Sequence, residues 1–208
     1  MLDLELGATK PLVLHGDRGL SAKSAEPGNA SYYVGYTRLR ASGRIGTDGS
    51  GASAQGEAWF DHEWSTSALG AGAIGWDWWS LQLDDGRELM LFEIRQKDGG
   101  RDPASGGTLV AADGRSRRLS AADVETTALG HWTSPRSGAS YPARWRLRIP
   151  SEGIELEVEP LVADQEMRTA FTYWEGAVRV SGTSGAQPRN GRGYVELTGY
   201  ARSMQGVF

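Results

Sequence analysis

Hydrophobic and polar positions alternate most sharply in RWRLRIPSEGIELEVEP, residues 144–160. Trp145, Leu147 and Ile149 fall on one side of an extended chain, and Arg144, Arg146 and Arg148 on the other. After PSEG the two-residue period resumes, with Ile154, Leu156 and Val158 set against Glu155, Glu157 and Glu159. Closing a hairpin with Ile149 opposite Ile154 brings Arg148 beside Glu155, Arg146 beside Glu157 and Arg144 beside Glu159, while the apolar residues meet on the other face. Exposed ion pairs add little stability, so this row pins the register and marks a solvated face; it does not read as a reactive site.

A second hairpin is predicted in WWSLQLDDGRELMLFEIR, where Asp85-Gly86 is a tight-turn signal between two strand-like runs. Further strands are expected at Tyr32 to Leu39, Gln55 to Phe60, Gly107 to Ala111, Thr169 to Val180 and Arg192 to Arg202, and no long helical period intervenes. GGRDPASGG and SGTSGAQPRNGRG read as loops by composition. A meander of about eight to ten short strands favours an antiparallel barrel over a sandwich, because closure removes exposed edges. The start is different. KPLVLHGDRGLSAKSAEPGNASYY holds one brief apolar stretch and then turn formers, which predicts an arm or linker over residues 1–30 and a barrel over residues 31–208.

The 29 glycines and 8 tryptophans in 208 residues fit an all-β chain with tight connections. The absence of cysteine excludes disulfides, thiolate metal sites and a cysteine nucleophile, and leaves the compartment open. A net charge of −4 without a basic stripe makes nucleic acid an unexpected partner. No apolar run approaches the roughly 20 residues of a membrane helix, and MLDLELGATK lacks the pattern of a signal peptide. The histidines at 15, 62 and 131 have no ligand-like spacing, so no metal is implied, and neither a G-x-S-x-G turn nor a phosphate-cradling loop is present.

Candidate chemistry concentrates where acids sit among aromatics. In AWFDHEW, residues 58–64, an extended chain sends His62 and Trp64 to one face and Trp59, Asp61 and Glu63 to the other. The sequence does not say which face looks inward. Asp77 stands inside GWDWW with Trp76, Trp78 and Trp79, and Glu93 follows Phe92. Tyr173 and Glu175 share a face, as do Tyr194, Glu196 and Tyr200. Carboxyls buried beside aromatics have raised pKa values and become usable proton donors. The bland alternative is a structural histidine tied to a neighbouring acid and glutamates bonded at a barrel rim.

GWDWWSLQLDDGRELMLFEIR, WTSPRSGASYP, YWEGAVRVSG and GRGYVELTGYA, in this order, resemble the family of carotenoid hydratases (hydroxyneurosporene synthases), kievitone hydratase and the bacterial AttH-like proteins. The resemblance runs from about KPLVLHG to GYARS. It implies a lipocalin-like fold, commonly of two consecutive barrels, and in some members the cofactor-free hydration of an isolated isoprenoid double bond. On this resemblance the chain starts near the end of the family's first domain, so a second copy or an absent partner domain would supply the missing wall of a junctional site. The resemblance also implies catalytic roles for His62 and Glu93 with Trp64 beside them, and the reading of acids among aromatics adds Asp77 as a candidate catalytic acid or base and Trp76, Trp78, Trp79, Tyr173, Glu175 and Tyr194 as candidates to hold a hydrophobic substrate. Leu91 stands where the family's tyrosine is expected. The expected function is therefore cofactor-free acid–base hydration of an isoprenoid-like substrate. A lipocalin-like carrier of a lipophilic molecule, or a cyclase or isomerase using the same pocket, are the alternatives.

Overall fold

The computed structural model describes residues 1–47, 51–65 and 69–206. Its strands are β1 (Leu2–Ala8), β2 (Val13–Leu14), β3 (Leu20–Ala22), β4 (Ala30–Ile45), β5 (Ala52–Trp64), β6 (Ala73–Leu83), β7 (Glu88–Gln96) and β8 (Gly106–Val110). They continue as β9 (Ser116–Ser120), β10 (Glu125–Thr133), β11 (Ser140–Ile149), β12 (Ile154–Pro160), β13 (Glu166–Arg168), β14 (Thr172–Ser184) and β15 (Gln187–Leu197). The other regular elements are 3-10 turns at Ala121–Asp123 and Pro150–Glu152. Among the described residues no helix is long and apolar enough to cross a membrane.

Strand pairing divides these elements into two antiparallel sheets. The ten-stranded sheet runs β10-β11-β12-β14-β15-β6-β7-β8-β9, with β13 also on β14, and curls around one apolar core as a lipocalin-like barrel. Its end strands β9 and β10 are linked through the turn at Ala121–Asp123 and do not pair, so the barrel stays open at that seam. Alternation explains the core: odd-numbered residues of β6 and β7 (Trp79, Leu81, Leu83, Leu89, Leu91) meet Trp145, Leu147, Ile149, Leu156, Val158 and Trp174 from the far wall. Large side chains from both walls fill the interior as a packed core.

The five-stranded sheet consists of β1 to β5, with β4 at its centre, and lies over the outer face of β6, β7 and β8. Residue 30, where the sequence places the end of an arm, is thus not the line along which strands pair. The sheets part between β5 and β6, and β1, β2 and β3 all hydrogen-bond to β4. Isolated two- and three-residue strands carry too little periodicity to be read from sequence. Between Tyr36 and Leu39 the register of β4 on β5 slips by one residue, a bulge.

The hairpin registers follow the sequence closely. Ile149 faces Ile154, Arg148 faces Glu155 and Arg146 faces Glu157, and Arg144 Nε reaches Glu159 at 3.3 Å. The Asp85-Gly86 turn joins β6 to β7 with Gln82 opposite Glu88. SGTSGAQPRNGRG is a correction: β14 extends to Ser184 and β15 starts at Gln187, so most of the predicted loop is strand, and β15 ends at Leu197, short of Arg202. Glycine here serves close approach, since a Cβ on Gly193 would lie 2.1 Å from the Ser80 carbonyl oxygen. Because the Arg144–Glu157 pair is solvated, Glu157→Ala is expected to leave the thermal midpoint nearly unchanged despite the 2.5 Å contact. A drop comparable with that of a core mutant would show the ladder to be structural.

Candidate active site between the sheets

The even-numbered residues of β6 and β7 point away from the barrel core and carry Trp76, Trp78, Ser80, Gln82, Glu88, Met90, Phe92 and Ile94 toward β4 and β5. β4 and β5 answer with Tyr33, Asp61 and Glu63, because Tyr33 is paired with Glu63 and Gly35 with Asp61. A cavity of about 340 Å³ opens between these faces. Trp76, Trp78, Phe92, Ile94 and Leu69 give it apolar walls, Lys23, Tyr33 and Glu63 supply its polar groups, and Trp64 stands at its rim. A second cavity of about 500 Å³ is lined by Trp59, Asp61, Trp78, Ser80, Gln82 and Tyr194. Trp78 lines both, so its indole and the Tyr33–Asp61 contact stand between the two chambers.

The polar groups form a directed chain. Trp78 Nε1–H donates to the Tyr33 hydroxyl at 3.0 Å, and that hydroxyl donates to Asp61 Oδ2 at 2.6 Å. Burial pushes the Asp61 carboxyl up to about 6, a rise that the Tyr33 hydrogen bond opposes. Burial and the neighbouring Asp61 carboxylate together drive the Tyr33 phenol well above its ordinary range. Glu63 is held by Lys23 at 2.5 Å and by the Ser31 hydroxyl, and the Lys23 ammonium lies 4.8 Å from the Phe92 ring centroid. On the adjoining strand, Trp76 Nε1–H donates to Glu196 at 2.5 Å, and burial pushes Glu196 up to about 7, with Glu175 and Glu63 adding to the rise.

His62, Glu93 and Asp77 are not brought together. His62 is exposed on the opposite face of β5, its ring edge-on to Trp64 at 4.7 Å, in an aromatic patch where Tyr32 stacks on Trp64 at 5.6 Å. Asp77 and Glu93 face one another in the β6–β7 register but lie on the side away from Trp76 and Trp78. Asp77 is buried, bound by Arg95 at 2.9 Å and by the Tyr200 hydroxyl at 2.8 Å, and burial raises its pKa to about 6. Glu93 is held by Arg101 at 2.7 Å. Trp79 is fully buried in the barrel core, whereas Trp76 and Trp78 line the cavity. Tyr194 borders the second cavity, and Tyr173 lies 3.4 Å from Glu175. Among the described residues no group of three or more metal-ligating side chains converges.

Sequence reasoning did not single out Tyr33, Lys23, Asp61 or Glu63. Asp61 and Glu63 sit in the same heptapeptide as His62, one pleat out of phase. The alternation separates the faces but carries no information on which one meets another sheet.

The AttH-like family model matches residues 1–200. A crystal structure of a protein from Nitrosomonas europaea assigned as an AttH is similar at 39% identity and a TM-score of 0.87, covering 97% of this chain and 62% of that one. Kievitone hydratase from Nectria haematococca is similar in fold, with a TM-score of 0.77 at 20% identity over 96% of this chain and 61% of its own. The chain thus spans about three-fifths of the length of these solved relatives. None of the curated proteins compared matches the sequence. With the family model covering nearly its whole length, this chain belongs to the AttH-like family.

Proposed function

We propose that the chain is a hydratase-like acid–base catalyst that adds water to an isolated carbon–carbon double bond of a hydrophobic, isoprenoid-like molecule held between the two sheets. One observation carries this reading: a largely buried carboxyl, Asp61, with its pKa raised to about 6, lines the second cavity together with Trp78, the indole that also lines the first. The Asp61 proton passes to one alkene carbon, whose π pair forms the new C–H bond, and a tertiary cation develops on the other carbon. Trp78 and Trp59, which line the same cavity as Asp61, present electron-rich faces to that cation, each worth about 2 kcal/mol in a desolvated site. A water oxygen bonds to the cation and its excess proton leaves to the Glu63 carboxylate on the same wall. The reaction is redox-neutral, so an acid, a base and water suffice.

The test is incubation with acyclic carotenoids and shorter isoprenoids in ¹⁸O-labelled water, with products read by mass spectrometry. Wild type is expected to incorporate label, and Asp61→Asn to lose roughly 10²–10⁴-fold of the rate, the range of a general acid. The acid must hold its proton to act, so the rate is expected to be highest below pH 6 and to fall as pH rises through about 6. His62→Ala is expected to retain activity. The reverse pattern, with His62→Ala inactive and Asp61→Asn active, would move the site to the exposed aromatic face of β5. Product without label would mark a cyclase or isomerase, and unchanged lipophile co-purifying equally with both proteins would mark a carrier.

A further inference from the structure

His15 follows β2 and is fully buried between the sheets, its backbone N–H bonded to the Tyr33 carbonyl at 3.0 Å. Its ring packs on the Tyr33 ring with centroids 4.4 Å apart, and Nδ1 lies 2.9 Å from the Thr108 hydroxyl on β8. Nε2 points at Asp61 Oδ1 from 3.9 Å. Both atoms are buried and neither has a hydrogen-bond partner. Buried polar atoms are ordinarily paired, so two complementary ones facing each other at this separation form a hydrogen bond that is about 1 Å from closing. Gly35 provides the passage, since a Cβ there would lie 2.3 Å from Asp61 Oδ1 and 3.2 Å from His15 Nε2. No other residue type leaves the imidazole and the carboxyl a free line of approach.

We propose that His15 is the positioning residue of Asp61: a neutral imidazole that donates Nε2–H to Asp61 Oδ1 as Asp61 surrenders its proton. This rests on the reading of Asp61 as the acid. The contact between Nδ1 and the Thr108 hydroxyl fits either direction, and with the hydroxyl as donor, the arrangement the proposal takes, the ring proton resides on Nε2. Burial, aided by the Lys23 charge, holds the imidazole pKa down to about 4, so the ring is uncharged at neutral pH. The titratable groups around the pair are Tyr33 from β4, Glu63 from β5 and Lys23 after β3; β6 contributes Trp78 and β8 contributes Thr108. A neutral donor favours the carboxylate over the acid, so the contact strengthens as the substrate takes the proton and helps the transition state more than the ground state. Tyr33 serves Oδ2 and His15 serves Oδ1, and the Trp59 indole, whose Nε1–H is likewise buried without a partner, is the third donor bearing on the carboxyl. His15 keeps its own proton throughout.

The experiment reads the Asp61 carboxyl pKa by ¹³C NMR on the aspartate-labelled full chain, alongside the ¹⁸O assay. His15→Ala is expected to raise that pKa by about one unit and to lower kcat roughly tenfold with KM unchanged. His15→Gln, which restores a side-chain N–H, is expected to recover most of both. Should His15→Ala fail to fold, Thr108→Val leaves the ring in place but frees its tautomer, and is expected to move the Asp61 pKa upward as well. An Asp61 pKa that stays put or falls in the folded variants overturns the proposal. If Asp61→Asn retains full turnover while the NMR shift is seen, the reading of Asp61 as the acid fails and the His15 contact stands. If Asp61→Asn is inactive and no shift is seen, only the role of His15 fails.

Discussion

Glu88→Ala is expected to lower stability by about 3–5 kcal/mol, the usual consequence of breaking a buried ion pair by removing one partner. For a chain of this size that corresponds to a fall of roughly 6–20 °C in thermal midpoint. The Glu88 side chain is fully buried, and it is the meeting point of two cations, Lys10 from the connection between β1 and β2 and Arg38 from β4. Lys10 Nζ lies 2.7 Å from one oxygen and Arg38 Nε 2.6 Å from the other, with the Thr37 hydroxyl at 3.1 Å. Arg38 also binds Glu57 at 2.5 Å and the Leu83 carbonyl at 3.0 Å, so it spans both sheets. Removing the carboxylate leaves Lys10, its side chain 8% exposed, without a counter-ion and Arg38, its side chain 15% exposed, with Glu57 as its remaining carboxylate. Differential scanning calorimetry checks the magnitude, and amide exchange is expected to accelerate in β4 before it does in β11 or β12. An unchanged midpoint would mean that apolar contact alone holds the smaller sheet in place.

Trp145→Ala is the other change with a large expected cost, about 3–5 kcal/mol from lost burial and a residual cavity. Trp145 is 1% exposed at the centre of the barrel, edge-on to Trp79 at 6.3 Å and tilted against Trp174 at 6.4 Å. Indoles packed on either side of Trp145 cannot collapse smoothly into the space it leaves. The Trp145 Nε1–H has no acceptor, so Trp145→Phe removes an unpaired donor along with part of the volume and is expected to lose much less. Urea denaturation of the two variants separates these effects. Equal losses would place the importance of Trp145 in its polar edge and not in its bulk.

The barrel was legible because its strands alternate against solvent on one side. Arg144, Arg146 and Arg148 opposite Glu155, Glu157 and Glu159 leave one register open, and that register is observed. The 181–193 segment was obscured by its glycines and polar residues, which mark turns in most settings but here admit a neighbouring backbone. The site was half legible. Trp76 and Trp78 stood out by composition and do line the cavity, while Asp77 and Glu93, equally conspicuous among aromatics, turn to the other face and are engaged by Arg95 and Arg101. AWFDHEW does supply cavity-lining acids, Glu63 to the first cavity and Asp61 to the second, but which of its faces meets another sheet is something a two-residue period does not encode. His15 and Gly35 had no local signal, because their meaning lies in a contact between elements remote in sequence.

The bulge in β4 has a bearing on how this protein can vary. Ahead of it, Tyr33 and Gly35 face the barrel, and at it Thr37 and Arg38, consecutive residues, both reach Glu88. β4 itself keeps one period, with Ser31, Tyr33, Gly35, Thr37, Leu39 and Ala41 all buried, and the extra residue changes the phase of its partner: Glu63 and Asp61 stand opposite buried β4 positions before the bulge, Ala58 and Gly56 after it. Losing or gaining a single residue between Tyr36 and Leu39 would invert one half of the strand relative to the other, so this short stretch is far less tolerant of length change than the turns at either end of β4.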